Sequence, residues 1–402
     1  MKISVSQLMK IALTCPASLP ATQFGGILFL CIDIAKELSD KGHEVRIYTT
    51  DLDFANNPKT FNKKLPRIEI INKFKIFRSH VWFSLNLFFI NPYMYFQMLK
   101  YNPDVIHAIG VRSFQSFIAA LISYKKKIPL VISDQGGLTT HPNLKTTNLF
   151  KKILYKIQSP MIRFIINQAS KISVANEYEK EIFMNFCDPS KIEIVRNGIN
   201  LEIKNIKTQK FKEKYNIENS FFLFLGRFDK IKGIDILLNA LNLIKNHLEK
   251  LKTIVVLMGA DFGFESEMIK IIEELNLKNI VKIIKNPPRE DVIAAYNESK
   301  FLVLPSRWEL SPLTPLEGFA FKKPVISTNV HGIPYTIKNG ENGLLVDPEN
   351  YHSLANAILE FLYNEEKCMK FGLAGYELVN NDCNSKIMAE KTLKIYQELI
   401  NR

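Results

Sequence analysis

The sequence predicts an α/β protein made of two doubly wound domains, each with a parallel sheet covered by helices on both faces. Its 402 residues are enough for two domains that each bury a core. Short strand-like runs alternate with helix-like runs, which is the pattern of parallel sheets. The alternation stops at Asn197-Gly198 and then starts again. We therefore expect domains at residues 1–198 and 199–380, followed by a C-terminal helix at 381–402.

The composition indicates a globular chain without a membrane-spanning helix. Hydrophobic residues make up 47% of the chain and charged residues 23%. The longest apolar run, from Val81 to Ile90, is much shorter than the ~20 residues of a spanning helix. Gln7 and Lys10 interrupt the N-terminal apolar stretch, so we expect no signal peptide and interpret residues 1–8 as a short extension. Five scattered cysteines without a C-x-x-C pair favour reduced thiols and a cytoplasmic protein.

The first domain is expected to begin with a strand at Lys10–Thr14 and a helix that ends near Gly42. Between them, Gly25 and Gly26 open the helix, where backbone N–H groups and the helix dipole can receive a phosphate. A plain tight turn is the alternative, because the G-x-G-x-x-G fingerprint is absent. Later strands of this domain are expected at Glu44–Thr49, Arg67–Phe77, Asp104–Ala108, Pro129–Ser133, Lys171–Ala175 and Ile192–Val195.

The second domain repeats this pattern, and a basic turn follows its first strand. The turn runs from Gly226 to Gly233, with Arg227 at the strand end and Lys232 at the helix start. An arginine can bind two phosphate oxygens at once and a lysine acts as a point charge, although two solvated cations would have the same spacing. The strands of this domain are expected at Phe221–Leu225, Thr253–Met258, Ile280–Ile284, Phe301–Leu304, Pro324–Ser327 and Gly343–Val346, and the last helix at Ser385–Ile400.

Two carboxylates, Glu309 and Glu317, follow the strand Phe301–Leu304. Glu309 falls in a loop and Glu317 in the first turns of a helix that begins near Leu313, where Pro315 is tolerated because first-turn N–H groups have no partner within the helix. Both side chains can face the crevice outside the carboxyl ends of the strands, where ligands of parallel sheets bind. A solvated loop glutamate and a helix-start glutamate favoured by the dipole would explain the same pair.

Taken in order, these motifs resemble those of the retaining GT-B glycosyltransferases of the family-4 type. The turn from Gly226 to Gly233 is similar to their G-R-x4-K-G motif, and Glu309 with Glu317 to their E-x7-E motif. The resemblance covers residues 10 to about 400 and includes Gly42-His43-Glu44-Val45, Asp104-Val105-Ile106-His107 and Arg196-Asn197-Gly198-Ile199.

The resemblance implies two Rossmann-like domains with a cleft between them and a last helix that crosses back to the first domain. It implies transfer of a sugar from a nucleotide sugar to a glycan or lipid-linked acceptor. No cofactor and no metal are expected, because the nucleotide sugar is itself the donor substrate and fixed Arg and Lys charges can do the work of a metal.

It also implies roles for single residues. Arg227 and Lys232, beside Gly226, would bind the diphosphate and stabilise the charge that develops on it. Glu317 would bind the ribose hydroxyls, and Glu309 would lie beside the reacting carbon of the sugar. Further contacts would come from backbone N–H groups at Ser311, Leu313 and Thr314, although Pro312 between them has no N–H, and from the base-binding loop at Asn286 and Arg289.

Besides Pro312, which stands where a glycine is common, three positions depart from the family pattern. Asp134 stands where a histidine is common; it could orient an acceptor hydroxyl in catalysis, although an Asp that binds its own turn is commoner. Ile109 replaces a second histidine, which leaves His107 as a substrate-binding candidate or a satisfied strand-end histidine. Tyr335 replaces a glutamate. An inactive or divergent sugar-nucleotide-binding protein, or an epimerase, therefore remains an alternative.

Positive charge is concentrated in the first half of the chain. Residues 1–200 carry 26 Lys and Arg and 14 Asp and Glu, a net charge of +12, whereas the remaining 27 and 26 leave +1. Aromatic residues are frequent between Phe74 and Phe96, and lysines at Lys151–Ile157. This combination favours an anionic membrane surface or an anionic acceptor, with the protein peripheral on the inner face of the membrane. The aromatics could instead be core. A nucleic-acid-binding protein is the competing class, and we expect no nucleic acid partner.

Overall fold

A computed structural model describes residues 8–53, 60–85, 87–136, 138 and 149–401, without the side chains of 149–155 and 157. The predicted extension up to residue 7 and most of the basic stretch at 151–157 lie outside the described side chains. The chain divides into two compact units. Unit 1 is Met1–Asn197 with Ser385–Arg402, and unit 2 is Gly198–Asn384.

Among the described residues, the sheet of unit 1 has eight strands in the order β10-β9-β8-β7-β1-β2-β4-β3, parallel except for β3. A separate antiparallel hairpin pairs β5 with β6. The strands are β1 (Lys10–Thr14), β2 (Glu44–Thr50), β3 (Ile68–Ile71), β4 (Phe74–Ser79), β5 (Phe83–Leu85), β6 (Phe88–Ile90), β7 (Val105–Ile109), β8 (Leu130–Ser133), β9 (Lys171–Val174) and β10 (Ile192–Ile194).

Helices of unit 1 connect these strands and cover the sheet with apolar faces. They are α1 (Gly26–Asp40), α2 (Tyr93–Leu99), α3 (Phe114–Lys126), α4 (Leu149–Gln168) and α5 (Glu177–Phe183), with α14 (Ser385–Ile400) at the end of the chain. Helix α14 packs on α1, and the Ser385 hydroxyl donates to Glu37 Oε1 at 2.6 Å. The last helix therefore belongs to unit 1.

One strand prediction in unit 1 is wrong. The run predicted as a single strand at Arg67–Phe77 is an antiparallel pair, β3 and β4. The chain reverses at Asn72, whose φ is 52°. Asparagine adopts this left-handed conformation more readily than most residues, so it permits a tight turn inside an otherwise apolar run.

Unit 2 has a six-stranded parallel sheet in the order β13-β12-β11-β14-β15-β16. Its strands are β11 (Ser220–Leu225), β12 (Thr253–Gly259), β13 (Val281–Lys285), β14 (Leu302–Leu304), β15 (Val325–Thr328) and β16 (Gly343–Val346). Its helices are α6 (Phe211–Lys214), α7 (Ile234–Lys250), α8 (Glu265–Glu274), α9 (Arg289–Glu298), α10 (Leu313–Ala320), α11 (Ile333–Thr336), α12 (Tyr351–Tyr363) and α13 (Glu365–Asn381).

The strand order of unit 2 reverses direction between β11 and β14. From β11 the chain builds outward through β12 and β13, and then returns to add β14, β15 and β16 on the other side. In open parallel sheets, the loops that leave such a switch point diverge and form a ligand crevice at the carboxyl ends of the strands. The loops that follow β11 and β14 are therefore the parts of unit 2 to search for a site.

Candidate functional site

The loop after β11 packs closely on the loop after β14 because Gly233 stands where a side chain would not fit. Asp229 caps the short turn Lys230–Lys232 by accepting from the Ile231 N–H at 3.1 Å. Gly233 has a φ of 68°, and a Cβ atom there would overlap the Pro305 carbonyl oxygen of the loop after β14. The flanking glycine of the motif thus lets the two loops of the switch point touch.

Arg227 is the least constrained cation of this loop. Its guanidinium carbon lies 4.9 Å from the centroid of the Phe262 ring. Within the described ranges, the Arg227 side chain has no hydrogen-bond or ion-pair partner. A guanidinium on an aromatic face keeps its N–H groups available to an anion. Sequence reasoning found Arg227 and missed Phe262, which no motif distinguishes from core aromatics.

Lys232 and Glu309 form an ion pair across the switch point. Lys232 Nζ binds Glu309 Oε1, which also accepts from the Ser306 hydroxyl at 3.2 Å. The two side chains are 17% and 15% exposed, so solvent and ligand can reach the pair. The structure thus brings together two of the predicted residues, one from each motif.

Glu317 is held by a second group of partners. Arg289 donates to both carboxylate oxygens, with Nη2 to Oε1 at 2.5 Å and Nη1 to Oε2 at 3.2 Å. The buried Tyr296 hydroxyl donates to Oε2 at 2.7 Å. Burial and the Glu317 charge raise the pKa of Tyr296 well above its ordinary value, so its proton stays in place. Sequence reasoning named Arg289 and Glu317 separately and missed Tyr296.

Arg307 connects the two loops of the switch point. Nη1 and Nη2 bind Asp235 at 2.7 and 2.9 Å, and Nη1 also donates to the Lys230 carbonyl at 2.6 Å. Nε and Nη2 bind Glu349 at 2.5 and 2.8 Å. Its backbone N–H donates to the Ile231 carbonyl at 2.7 Å. Arg307 therefore fixes the turn that carries Lys232 against the loop that carries Glu309. These contacts could not be predicted from the sequence, because the partners of Arg307 come from two distant segments, residues 230–235 and Glu349.

The remaining predicted residues of unit 2 line the same carboxyl end of the sheet. Helix α10 begins at Leu313, after Pro312, without a side-chain cap. Its first-turn N–H groups, including that of Thr314, are of the kind that an anion can satisfy. Asn286 has a φ of 47° and donates its N–H to the Gly259 carbonyl at 2.9 Å. Ser311 lies in the loop before α10, partly exposed.

The loop after β15 also contacts the Glu309 segment. The Gly332 N–H donates to the Glu309 carbonyl at 3.2 Å, and the His331 ring lies 6.3 Å from that of Trp308. Burial lowers the pKa of His331, although the Glu309 charge opposes the shift. Tyr335, the departure from the family pattern, lies in the short helix α11, with its ring 6.0 Å from Lys338 Nζ.

In unit 1, the predicted glycines open a helix as expected. Helix α1 begins at Gly26 and has no side-chain cap. Gly25 before it has a φ of 111°, a conformation that glycine adopts without strain. Phosphate binding at this helix start stays a prediction.

His107 lies inside unit 1 rather than at its surface. It is fully buried, with Nδ1 2.6 Å from the Tyr396 hydroxyl and Nε2 2.7 Å from the Ser133 hydroxyl. Burial lowers its pKa to about 3, so the ring is neutral. Both ring nitrogens are used by the fold. This geometry favours the structural alternative, and a substrate-binding role stays an untested prediction.

Asp134 is also buried, at the end of β8. Its Oδ2 accepts from the Leu138 N–H at 3.0 Å, as expected for an aspartate that binds its own turn. Sequence reasoning missed its neighbour Glu179, at the start of α5. Glu179 accepts from the Ala175 N–H at 2.8 Å, while its buried Oε1 has no hydrogen-bond partner among the residues that the structure describes. Burial, together with the Asp134 charge, raises the pKa of Glu179 to about 8.

The described residues contain neither a metal-binding cluster nor a membrane-spanning helix. No group of three or more His, Cys, Asp or Glu side chains there is arranged to hold a metal ion. No helix there is long and apolar enough to cross a membrane.

Two parallel α/β units of this topology define the GT-B class of glycosyltransferases. Anabaena HepE in complex with UDP-glucose shares the fold with a TM-score of 0.74, at 18% identity, over 97% of this chain and 100% of that chain. An uncharacterized glycosyltransferase of Methanocaldococcus jannaschii is 28% identical over 71% of this chain and 73% of its own length. The capsular polysaccharide biosynthesis glycosyltransferase CapM of Staphylococcus aureus is 24% identical over 76% of this chain and 88% of its own.

Family matches cover nearly the whole chain. The family described as Glycosyltransferase Family 4 matches residues 24–203, and the one described as Glycosyl transferases group 1 matches residues 205–378. The chain belongs to the GT-B glycosyltransferases of the family-4 type.

Proposed function

We propose that the protein transfers a hexose from a UDP- or GDP-linked sugar to a glycan or lipid-linked acceptor, with retention of configuration at the anomeric carbon. In this step the bond between the anomeric carbon and the phosphate oxygen breaks, and a bond to the acceptor oxygen forms. The acceptor proton leaves with the nucleoside diphosphate. The observation that carries this proposal is the Arg227 guanidinium, which is stacked on Phe262 without a competing anion among the described residues.

The positions of the other residues support a division of roles. Lys232 and Arg227 lie on one loop and neutralise the leaving diphosphate. Glu309, paired with Lys232, can exchange that contact for a sugar hydroxyl. Glu317, held by Arg289 and Tyr296, is oriented for the ribose. HepE is described as a complex with UDP-glucose, which supports a nucleotide-sugar donor here.

The acceptor is proposed from weaker but independent observations. CapM is described as a capsular polysaccharide biosynthesis enzyme, which supports a glycan or its lipid-linked precursor. The net charge of +12 on residues 1–200 supports work at an anionic surface, and we place the protein at the cytoplasmic face of a membrane.

A thermal-shift screen against nucleoside diphosphates and their sugar conjugates tests the donor. We expect one base to stabilise the protein, since ligands that bind the native state raise Tm. With the stabilising donor, release of nucleoside diphosphate shows turnover, and NMR of the released or transferred sugar shows whether configuration is retained. Binding without turnover under any acceptor condition would favour the inactive alternative. Binding of DNA or RNA, but of no nucleotide sugar, would refute the proposal.

A further inference from the structure

Unit 1 exposes large aromatic and aliphatic side chains on the β5–β6 hairpin and on helix α2. The exposed fractions are 72% for Trp82, 58% for Phe83, 40% for Leu87, 54% for Tyr93 and 56% for Phe96. We call these five residues the aromatic surface. They lie within fifteen consecutive positions of the chain. Exposed apolar residues that are grouped in this way mark an interaction site, whereas single ones do not.

The hairpin is anchored to the rest of unit 1 by packing and hydrogen bonds. Phe89, on the opposite face of β6, is fully buried and packs edge-to-face on Phe61, with ring centroids 5.4 Å apart. The Gln115 side chain of α3 donates to the Phe89 carbonyl at 2.9 Å, and the backbone N–H of Trp82 donates to the Ile90 carbonyl at 2.9 Å. The hairpin therefore presents its outer side chains from a fixed backbone, and their exposure is a property of the fold.

Helix α2 continues the surface. Tyr93 and Phe96 are three positions apart and share one helix face, while Met94 and Met98 are buried on the other. Phe96 packs edge-to-face on Tyr95, with ring centroids 5.6 Å apart. This arrangement gives α2 one apolar face for the core and a second for the outside.

Lysines lie beside helix α2, which carries part of the aromatic surface. Lys125, near the end of α3, donates to the Tyr95 hydroxyl at 3.3 Å, which places the end of α3 beside α2. Lys125, Lys127 and Lys100 are exposed. Residues 70–133 contain eight Lys and Arg and a single acidic residue, Asp104. The Asp104 carboxylate accepts from the Lys10 N–H at 2.7 Å.

We propose that the aromatic surface, with Lys100, Lys125 and Lys127, is the contact of this protein with an anionic lipid bilayer. Trp and Tyr rings favour the boundary between headgroups and acyl chains, and lysines favour anionic headgroups. Charge decides between the possible occupants, because a second copy of the chain would bring a second set of like charges to the same surface. The proposal rests on the proposed function only for its purpose, which is to bring the enzyme to an acceptor displayed on the bilayer.

Trp82 gives a direct test, because the chain has only one other tryptophan, Trp308. In the full-length Trp308→Phe variant, we expect vesicles with about a third phosphatidylglycerol to shift Trp82 emission to the blue, and brominated lipid to quench it. Phosphatidylcholine vesicles should have little effect, and salt should weaken the anionic response. Unchanged Trp82 emission with anionic vesicles, or an equal response to neutral ones, would overturn the proposal.

Three sets of substitutions then locate the contact by co-sedimentation with the same vesicles. Trp82→Ser with Phe83→Ser, and separately Lys100→Gln with Lys125→Gln and Lys127→Gln, should each weaken partition at least 10-fold. The matched control is Met369→Ser with Leu373→Ser, which removes exposed apolar side chains of unit 2 that are 58% and 48% exposed. Partition that falls equally in the control would overturn the assignment, as would a dimer that the Trp82/Phe83 variant dissociates in sedimentation velocity.

Nucleotide binding separates this proposal from the proposed function. All three variants should bind the stabilising nucleoside diphosphate as the unsubstituted protein does when vesicles are absent. If the unsubstituted protein binds anionic vesicles but no nucleotide sugar, the proposed function fails and the bilayer contact stands. If it binds the nucleotide sugar but no vesicle, the bilayer contact fails alone.

Discussion

The two units hold their predicted ligand-binding residues in opposite ways. In unit 2, Lys232 and Glu309 form a pair whose side chains are both partly exposed, and the partly exposed Arg289 pairs with the buried Glu317. In unit 1, His107 is fully buried with both nitrogens bound by the fold. A charged or hydroxyl group of a ligand can replace one partner of such an ion pair without leaving the other charge unpaired, whereas a buried hydrogen-bonded group is expensive to expose. The contacts of the unit 2 motif residues therefore favour exchange with a ligand, whereas His107 of unit 1 is held by contacts within the fold.

The largest effect that this comparison predicts is at Arg227. Arg227→Ala should lower the rate of nucleoside diphosphate release by ~10²- to 10³-fold, because one charged donor to the developing negative charge is lost. Lys232→Ala should have a similar effect. The control is Lys230→Ala in the same loop, whose side chain is 63% exposed and pairs with Glu267 outside the proposed site. Full activity in both the Arg227 and Lys232 variants would contradict the role of this loop.

The next largest loss of rate is expected for Arg307. This residue acts on the site only by positioning the Lys232 turn against the Glu309 loop. Arg307→Ala releases the Lys232 turn from the Glu309 loop, and misplacement of reacting groups by about 1 Å can cost roughly 10²-fold in rate. Arg307→Lys should restore only part of the rate, since a lysine cannot reproduce the two-pronged contacts with Asp235 and Glu349. If Arg307 acts through Lys232, the two alanine substitutions together should cost much less than the product of their separate effects. If the rate losses of the two substitutions multiply in the double variant, Arg307 does not act through Lys232.

Glu309 and Glu317 should separate kinetically. Glu309→Gln should mainly lower kcat, and Glu317→Gln should mainly weaken donor binding, because we propose that Glu309 contacts the transferred sugar and Glu317 the ribose. Tyr296→Phe removes one hydrogen bond to the Glu317 carboxylate, worth about 1.5–3 kcal/mol, so UDP or GDP should bind roughly 10-fold more weakly. The deoxyribose analogues should lose less affinity in this variant than the ribonucleotides. An equal loss for both sugars would mean that Glu317 does not bind the ribose.

How far the sequence predicts the structure also differs between the units. Strands and helices with a single strong period were predicted to within a residue or two, as at α14 and β12. The reversal at Asn72 was missed because the apolar alternation continues through the turn. In the site of unit 2, local motifs predicted Arg227, Lys232, Glu309 and Glu317. Residues that contact them across the fold were not predictable, because long-range pairing leaves no local pattern.

The smallest expected effect concerns unit 1. It is the contribution of the buried carboxyl of Glu179 to the pH dependence of stability. Burial and the Asp134 charge raise the pKa of Glu179 to about 8, against about 4.5 in an unfolded chain. Between these values the native state binds more protons than the unfolded state, so the free energy of unfolding falls as pH rises. The contribution of the protonated Glu179 carboxyl is lost above pH 8. The lowered pKa of His107, about 3, acts in the opposite direction and only below its ordinary value of 6.5.

The interval from pH 6.5 to 8 therefore isolates Glu179. Across it, the free energy of unfolding of unit 1 should fall by about 2 kcal/mol, or roughly 4–8 °C in Tm, in the unsubstituted protein. The Glu179→Gln variant cannot ionise at this position and should flatten this slope. The matched control is Glu177→Gln, two residues away, whose native side chain is 51% exposed; it should leave the slope unchanged. The comparison is made by thermal unfolding at several pH values in the same salt. If Tm changes equally with pH in the unsubstituted protein and in Glu179→Gln, Glu179 is ionised in the native state. Unit 1 would then hold a charged carboxylate, as unit 2 does.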